Sequence, residues 1–486
     1  MTDAQYRNHP TVMVKNIFLA LIVMFPLSIQ FYGSPAAMAV FAAAAVFVFA
    51  FLVLFWARTT ITFGQNEIIV ESNVLYKKRK TIPHRKIASV NVVRDIFNRI
   101  FGTTTIRINI NSSKNASIPE ANFVLDAALA EQIRNSLASN LFSEPAGKES
   151  EIRESLADLS MKDIVLHGLI GTSTYQLIYA AALLVFSAFS AIFMNGSATM
   201  VSLFLFFTGE AVPVFFVILK YGNFKVCRIN SHIYLQHGIV RSYVSEFDVN
   251  RINAIRIKRT FFGRILGKSS LEAEVIGINA VSGDINPTLC ILTDDSKIEY
   301  LIKQLVPEFV HEPEMAKQPR RARLPLLAKT SAGTALVLLL AAYPAYWIYL
   351  NGDTLFGDFT PTGVLLLKCA PAAAAVLSIL LMFLGAHTSM KVREIGFGKD
   401  MFNIVNGILD RQTLIIQYDR VQITAVSAGL MARRLGLAKC TISLMSSAGY
   451  KNIRSGYFDR DELSRIGEMM LLRLKDGTYR YDRNSI

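Results

Sequence analysis

GRILGKSS, residues 263–270, ends in Gly-Lys-Ser, the residue types that close a phosphate-cradling loop. Such a loop needs four residues between its glycines so that successive backbone N–H groups wrap the phosphates. Gly263 and Gly267 are separated by three. The corresponding residues after Gly102 and Gly436 are Thr-Thr and Leu-Ala, so Lys268-Ser269 is not part of a repeated design and the nucleotide reading is set aside. His84, His232 and His237 make no pair at metal-ligand spacing, and no Ser-His-Asp or paired-carboxylate arrangement emerges. Cys227, Cys290, Cys369 and Cys440 are scattered without a C-x-x-C pair and read as thiols in a reducing compartment. The expectation is a protein without catalytic residues, metal or cofactor.

Three sets of residues remain. Glu210, in "LFLFFTGEAVPVFFVIL", stands about eleven residues into an apolar run, ~16 Å deep at 1.5 Å per residue and near a bilayer midplane. An ionisable group there is costly and belongs in a bundle interior or a wet cavity. Lys368 is its natural partner to propose; snorkelling towards the outer face is the alternative. Thr172, Ser173, Thr174, Tyr175 and Gln176 add a polar stripe that either lines a path or joins helices, and joining is the commoner use. Lys77, Lys78, Arg79 and Lys80 form a run in which each cation near an anionic leaflet contributes ~1 kcal/mol. That run is a candidate contact for anionic headgroups such as phosphatidylglycerol or cardiolipin, or else a topology signal on a solvated strand end.

The elements that hold these residues are read from apolar patterning. Of 486 residues 52% are apolar, and they are concentrated in runs over 17–32, 36–56, about 164–194, 198–219, 326–350 and 362–386. Each run approaches or exceeds the ~20 residues a helix needs to cross the hydrocarbon. A signal peptide is the competing reading of the first, but a second span follows at once without a small-residue cleavage site. Six spans in three hairpins put every large polar segment on one face. The loops inside the hairpins carry no Lys or Arg, whereas the polar segments carry "YKKRK", "KRTFFGR", "KQPRRAR" and "ARRLG". By the positive-inside rule both termini and all polar blocks are expected on the cytoplasmic side of the membrane. The net charge of +14 follows mostly from this topology and not from nucleic acid binding.

The polar blocks repeat. Three residues before Gly102, Gly267 and Gly436 stand Arg99, Arg264 and Arg433; sixteen before stand Lys86, Arg251 and Arg420; twenty-nine before stand Asn73, Gly238 and Gly407. The copies recur at intervals of 165 and 169 residues, each containing one helix pair, so the unit is hairpin plus domain, three times over. Asn73, Gly238 and Gly407, each followed by two apolar residues, suit the φ > 0 of two-residue β-hairpin turns. A strand, the Arg-x-x-Gly bend and a further strand follow. An amphipathic helix closes each domain, over Leu125, Leu129, Ile133 and Leu137 in the first. The bend's Gly gives a tight strand entry, while its Arg pairs within the domain or faces the inner leaflet.

"TIPHRKIASVNVVRDIFNRIFGTTTIRI" resembles the core signature of the bacterial pleckstrin-homology, or membrane-flanked, domain: Ile82-Pro83, Lys86, Ile87, Val90, Arg99 and Gly102 match it. The later copies depart from it, with Phe247-Asp248 and Ile416-Gln417 replacing Ile-Pro and Thr424 replacing the valine. The order of parts over nearly the whole chain is similar to the multi-repeat branch of that family. The resemblance implies a mixed fold: six transmembrane helices in three hairpins alternating with three cytoplasmic PH-like β-barrels, each closed by a C-terminal helix. The boundaries expected are hairpins at 12–57, 163–221 and 326–387, domains at 58–141, 222–310 and 388–480, a linker at 142–162 and a basic linker at 311–325. It implies no catalytic residue. As partners it suggests membrane lipids and a smaller single-domain family member or self-assembly, in envelope maintenance or resistance to membrane-active peptides. The function expected is an inner-membrane scaffold; the alternative is a transporter or lipid translocator working near Glu210.

Overall fold

The computed structural model describes residues 4–478 except 30–32, 75, 111–119, 142–155, 158, 194–195, 277–285, 356–360 and 447–448. The first unit runs β1 (Ala4–Arg7), α1 (Thr11–Ile29), α2 (Pro35–Ala57), β2 (Thr59–Phe63), β3 (Glu67–Asn73), β4 (Lys77–Pro83), β5 (Ile87–Arg94), α3 (Ile96–Ile100), β6 (Thr103–Ile110), β7 (Ala121–Asp126) and α4 (Ala127–Leu141). The second runs α5 (Met161–Ile170), α6 (Thr174–Phe193), α7 (Gly196–Phe206), a π-helical turn (Phe207–Ala211) and α8 (Val212–Tyr221). Its strands follow as β8 (Lys225–Ile229), β9 (His232–His237), β10 (Ser242–Asp248), β11 (Ile252–Arg259), α9 (Phe261–Ile265), β12 (Lys268–Val275), β13 (Thr288–Asp294) and α10 (Asp295–Leu305). The third comprises β14 (Glu314–Lys317), α11 (Arg323–Leu355), α12 (Pro361–Val392), β15 (Glu394–Phe397), β16 (Met401–Gly407), β17 (Arg411–Gln417) and β18 (Val421–Ser427). It ends in α13 (Leu430–Arg434), β19 (Leu437–Ser446), β20 (Gly449–Arg454), β21 (Phe458–Asp459) and α14 (Arg460–Lys475).

Among the described residues six helices are long and apolar enough to cross a membrane, including Thr11–Ile29, Thr174–Ile192 and Pro361–Val392. Their apolar side chains point outward: Phe25, Val40 and Phe47 are each about 70% exposed, as a lipid-facing surface requires. Consecutive helices pack on one another, α1 on α2, α6 on α7 and α11 on α12.

Among the described residues all sheet pairings are antiparallel, and the strands form four open sheets with no closed barrel, contrary to the expectation. Their orders are β1-β2-β3-β4, β7-β6-β5-β10-β9-β8, β13-β12-β11-β17-β16-β15-β14 and β18-β19-β20, with β21 pairing the start of β19. The reason is local. After its helix pair each unit divides into two half-sheets at a single 3-10 turn, at His84–Lys86, Val249–Arg251 and Tyr418–Arg420. The edge that would close a barrel is instead paired with the next unit: β5 with β10, and β11 with β17.

The cores follow the same pattern. Ile61, Phe63, Ile68, Ile106 and Phe123 make the first core, into which α4 inserts Ala130, Ile133 and Leu137. Leu125 belongs to β7, not to the closing helix. Met401 and Ile415 of the third unit enter the second core, while Ala254 of the second enters the third. The second and third units therefore share apolar cores across their boundary.

Gly102, Gly267 and Gly436 sit at φ +62, +64 and +70, each just after the one-turn helix α3, α9 or α13. That is the left-handed stop a helix C-terminus favours, and it releases the chain into the next strand. Gly238 and Gly407 also have positive φ, 107 and 135, but Asn73 does not. Pairing of Gly407 with Arg411 and of Asn73 with Lys77 leaves three-residue loops, not the two-residue turns expected. In the second and third units the apolar tip residues dock on the helix bases. Ile239 N–H donates to the Leu219 carbonyl of α8 at 2.9 Å, and Ile408 lies against Gly385 of α12.

Candidate headgroup site at the base of the helix pairs

Where a helix pair meets its own second half-sheet, polar residues surround a cleft. In the first unit the α1 entry docks on β7: His9 N–H donates to Val124 O at 2.8 Å and Val124 N–H to Asn8 Oδ1 at 3.0 Å. The cleft beneath holds about 220 Å³ and is lined by Lys15, Asp95, Asn98, Thr105, Arg107 and Arg241 among others. Lys15 pairs with Asp95, which also caps α3 through Asn98 N–H at 2.9 Å. Arg107 is pushed below its ordinary pKa by burial and by Arg241 beside it. Three cations thus face one carboxylate, which already has a lysine.

The second unit repeats the place. α5, capped by a reciprocal Ser160–Asp163 box, lays His167 on β13, where Leu292 N–H donates to Nδ1 at 3.3 Å. The cleft, about 380 Å³, is lined by His167, Lys220, Arg256, Lys258, Glu272 and Lys451 among others. Counted from Gly102 and Gly267, Lys258 takes the place of Val93, Ser270 of Thr105 and Glu272 of Arg107. Behind it Glu274, fully buried, pairs with Arg256 and with Lys451 Nζ at 2.7 Å. Asn286 Nδ2 and Ser446 Oγ each donate to the same carboxylate at 3.0 Å. This network joins the second unit to the third. Burial holds Lys451 below the usual lysine pKa.

In the third unit the same position, three after Gly436, is Lys439. Its Nζ lies 4.1 Å from the Tyr457 ring centroid. Desolvation, then the charges of Arg393, Lys329 and Arg454, pull its pKa down to about 8. Among the described residues no carboxylate counters that shift. Desolvated cations grouped at the foot of membrane helices are the chemistry that takes a phosphate oxygen.

The sequence-derived candidates fall differently. Of Lys77, Lys78, Arg79 and Lys80, whose side chains alternate along β4, Arg79 pairs with Glu71 at 3.5 Å and Lys80 with Glu120 at 3.2 Å. Arg264 donates to Leu409 O at 3.3 Å, so in that copy the Arg of Arg-x-x-Gly reaches the next unit's hairpin tip. Arg251 likewise crosses a boundary, donating to Ile87 O at 3.3 Å. Lys368 does not meet Glu210; it pairs with Asp353 Oδ2 at 2.6 Å over the Tyr349 ring, since both stand near the same helix ends. Glu210 sits in the π-helical turn, 7% exposed, with Gln176 on its carboxyl and no hydrogen-bond partner for Oε1. Glu210 stands at the centre of the apolar span Thr199–Tyr221, eleven residues from either end. The expected polar stripe is mostly a junction. Thr172 and Ser173 lie between α5 and α6, and Asp410 of the third unit accepts from Ser173 Oγ at 3.3 Å, Thr174 N–H at 3.1 Å and Thr174 Oγ1. Among the described residues no group of three or more His, Cys, Asp or Glu is placed to hold a metal ion.

A helix pair followed by two half-sheets and a helix, three times in one chain, defines a membrane protein built of tandem PH units. The chain belongs to the bacterial PH domain family, which matches it over residues 16–141, 175–311 and 335–473. It is similar to the UPF0699 transmembrane protein YdbT of Bacillus subtilis, 20% identical over 475 residues that cover 90% of this chain and 89% of that protein. No solved structure matches it significantly.

Proposed function

We propose that the chain is an inner-membrane scaffold. Its helices form three transmembrane hairpins, α4, α10 and α14 close the PH units, and the units lie on the cytoplasmic face where the Lys/Arg bias of the polar segments directs them. The basic clefts hold phosphate headgroups of anionic lipids, the exposed sheet edges receive proteins, and the chain performs no chemistry of its own. The single observation that carries this reading is the recurrence of a cation-rich cleft at one position of the repeat, under successive helix pairs. Envelope maintenance or resistance to membrane-active peptides fits such a scaffold.

The test is native mass spectrometry of the protein released from membranes of equal phosphatidylglycerol and phosphatidylcholine. The reading expects phosphatidylglycerol to be retained and Lys258→Glu with Lys220→Glu to release it. A bound lipid set that mirrors the bulk mixture in both proteins would overturn it.

One observation favours a lipid or proton path instead: the buried, half-satisfied Glu210 in its π-helical turn, a feature frequent at functional sites. Full function in Glu210→Gln would remove that alternative.

A further inference from the structure

The two boundaries between units obey one register. Arg94, Val93 and Val92 of β5 face Ser242, Tyr243 and Val244 of β10. Arg259 through Ala254 of β11 face Arg411 through Ile416 of β17. Counted back from the bend glycines, a residue at place n in one unit meets place 33 − n in the next at both boundaries: Arg94 and Arg259 are at place 8, Ser242 and Arg411 at place 25. The boundary is therefore one interface used twice.

β18 is the third strand of the β5/β11 class. Among the described residues nothing pairs with its outer edge. Ile423 is 57% exposed and Val426 40%, whereas Ser89 and Ala254, which occupy the place of Ile423, are both at 0%. Ala254 is buried because it enters the neighbouring unit's core. Ile423 is a larger apolar side chain in the same place with no neighbour to enter.

The edge at the other end of the array, β4, does not complement it. Lys77, Lys78, Arg79, Lys80 and Pro83 are the residue types that keep an edge strand from pairing. In the shared register Lys78 of a second copy would stand opposite Ser427, whose β19 partner is Lys439 amid Arg393, Lys329 and Arg454. Like charges brought together across strands oppose that pairing.

We propose that the outer edge of β18 takes, by antiparallel strand addition, the third strand of a bacterial PH unit carried by a different membrane-anchored chain. That strand carries uncharged residues where β4 has Lys78 to Lys80, as β10 has Tyr243, Val244 and Ser245 and β17 has Gln412, Thr413 and Leu414. The proposal deepens the scaffold reading and rests on it by naming the protein partner of one edge.

A photo-crosslinking residue at Val426 of the full-length chain, in its native membrane, tests the proposal. The expected product is a discrete heteromeric adduct whose peptide, by mass spectrometry, lies in the third strand of a PH unit on another polypeptide. Ile423→Lys, at an exposed position, is expected to lower its yield about tenfold, equivalent to ~1.4 kcal/mol, with the thermal midpoint unchanged. Adducts only to lipid, to residues 77–83 of a second copy or to another kind of protein surface overturn it, as does the absence of any adduct. Phosphatidylglycerol retention in the same preparation separates the outcomes: lipid retained without the strand adduct sinks the edge proposal and leaves the headgroup reading standing.

Discussion

Ala254 of β11 stands directly opposite Ile416 of β17, and both side chains are fully buried although they belong to different repeats. The pair places a strand of one unit inside the core of the next. The three units are thus a continuous β-array and not beads on a membrane thread, and nearest-neighbour terms carry much of their stability.

Ala254→Asp is therefore expected to destabilise the second and third units together. An unpaired carboxylate in that shared core costs several kcal/mol. Hydrogen exchange would read loss of protection in β11, β16 and β17 at once; loss confined to the second unit would contradict shared cores.

Glu274→Ala leaves Arg256 and Lys451 facing each other without their buried carboxylate. Breaking a buried pair from one side costs about 3–5 kcal/mol. Thermal unfolding in nanodiscs checks this, and a change under 1 kcal/mol would mean that solvent reaches the network.

The glycines divide into two kinds. A Cβ on Gly407, at φ +135, would lie 1.8 Å from Asp410 O, so Gly407→Ala should break the hairpin tip that caps α6. Around Gly436, at φ +70, the nearest atom to a Cβ is 3.9 Å away, so Gly436→Ala meets only the backbone penalty of ~1 kcal/mol and Gly436→Asn less. Comparing the three unfolding midpoints tests the ranking.

Lys439 titrates near 8 in the folded chain against an ordinary lysine value of 10.5. The unfolded chain therefore binds the extra proton between those values, and stability rises with pH from about 8 to about 10.5. An anionic headgroup beside it raises the folded value, so amine labelling at pH 8 should slow when phosphatidylglycerol replaces phosphatidylcholine. Equal labelling in both lipids would contradict a headgroup site in the third unit.

Much of this organisation is legible in the chain. Apolar runs mark the helices, and Gly102, Gly267 and Gly436 mark a left-handed stop, because backbone geometry at one residue leaves a signature in that residue. The pairing of Ala254 with Ile416 leaves none: alternation along β11 fits a barrel edge and a cross-unit edge equally well. The same holds for Glu274, one carboxylate in a strand, whose partners Arg256 and Lys451 are 18 and 177 residues away. Lys368 misleads for the opposite reason. Its apolar surroundings suggest an intramembrane partner, but its place near a helix end lets Asp353 reach it.

Inter-strand disulfides test the continuous array most directly. With Cys369 replaced by Ser, Val92→Cys/Val244→Cys and Lys258→Cys/Gln412→Cys place thiols on opposed residues, whereas Val93→Cys/Val244→Cys is shifted by one and points them to opposite faces. Mild oxidation of the purified chain is expected to close the first two pairs within one polypeptide and to leave the third open. No closure, or equal closure of all three, would contradict the array.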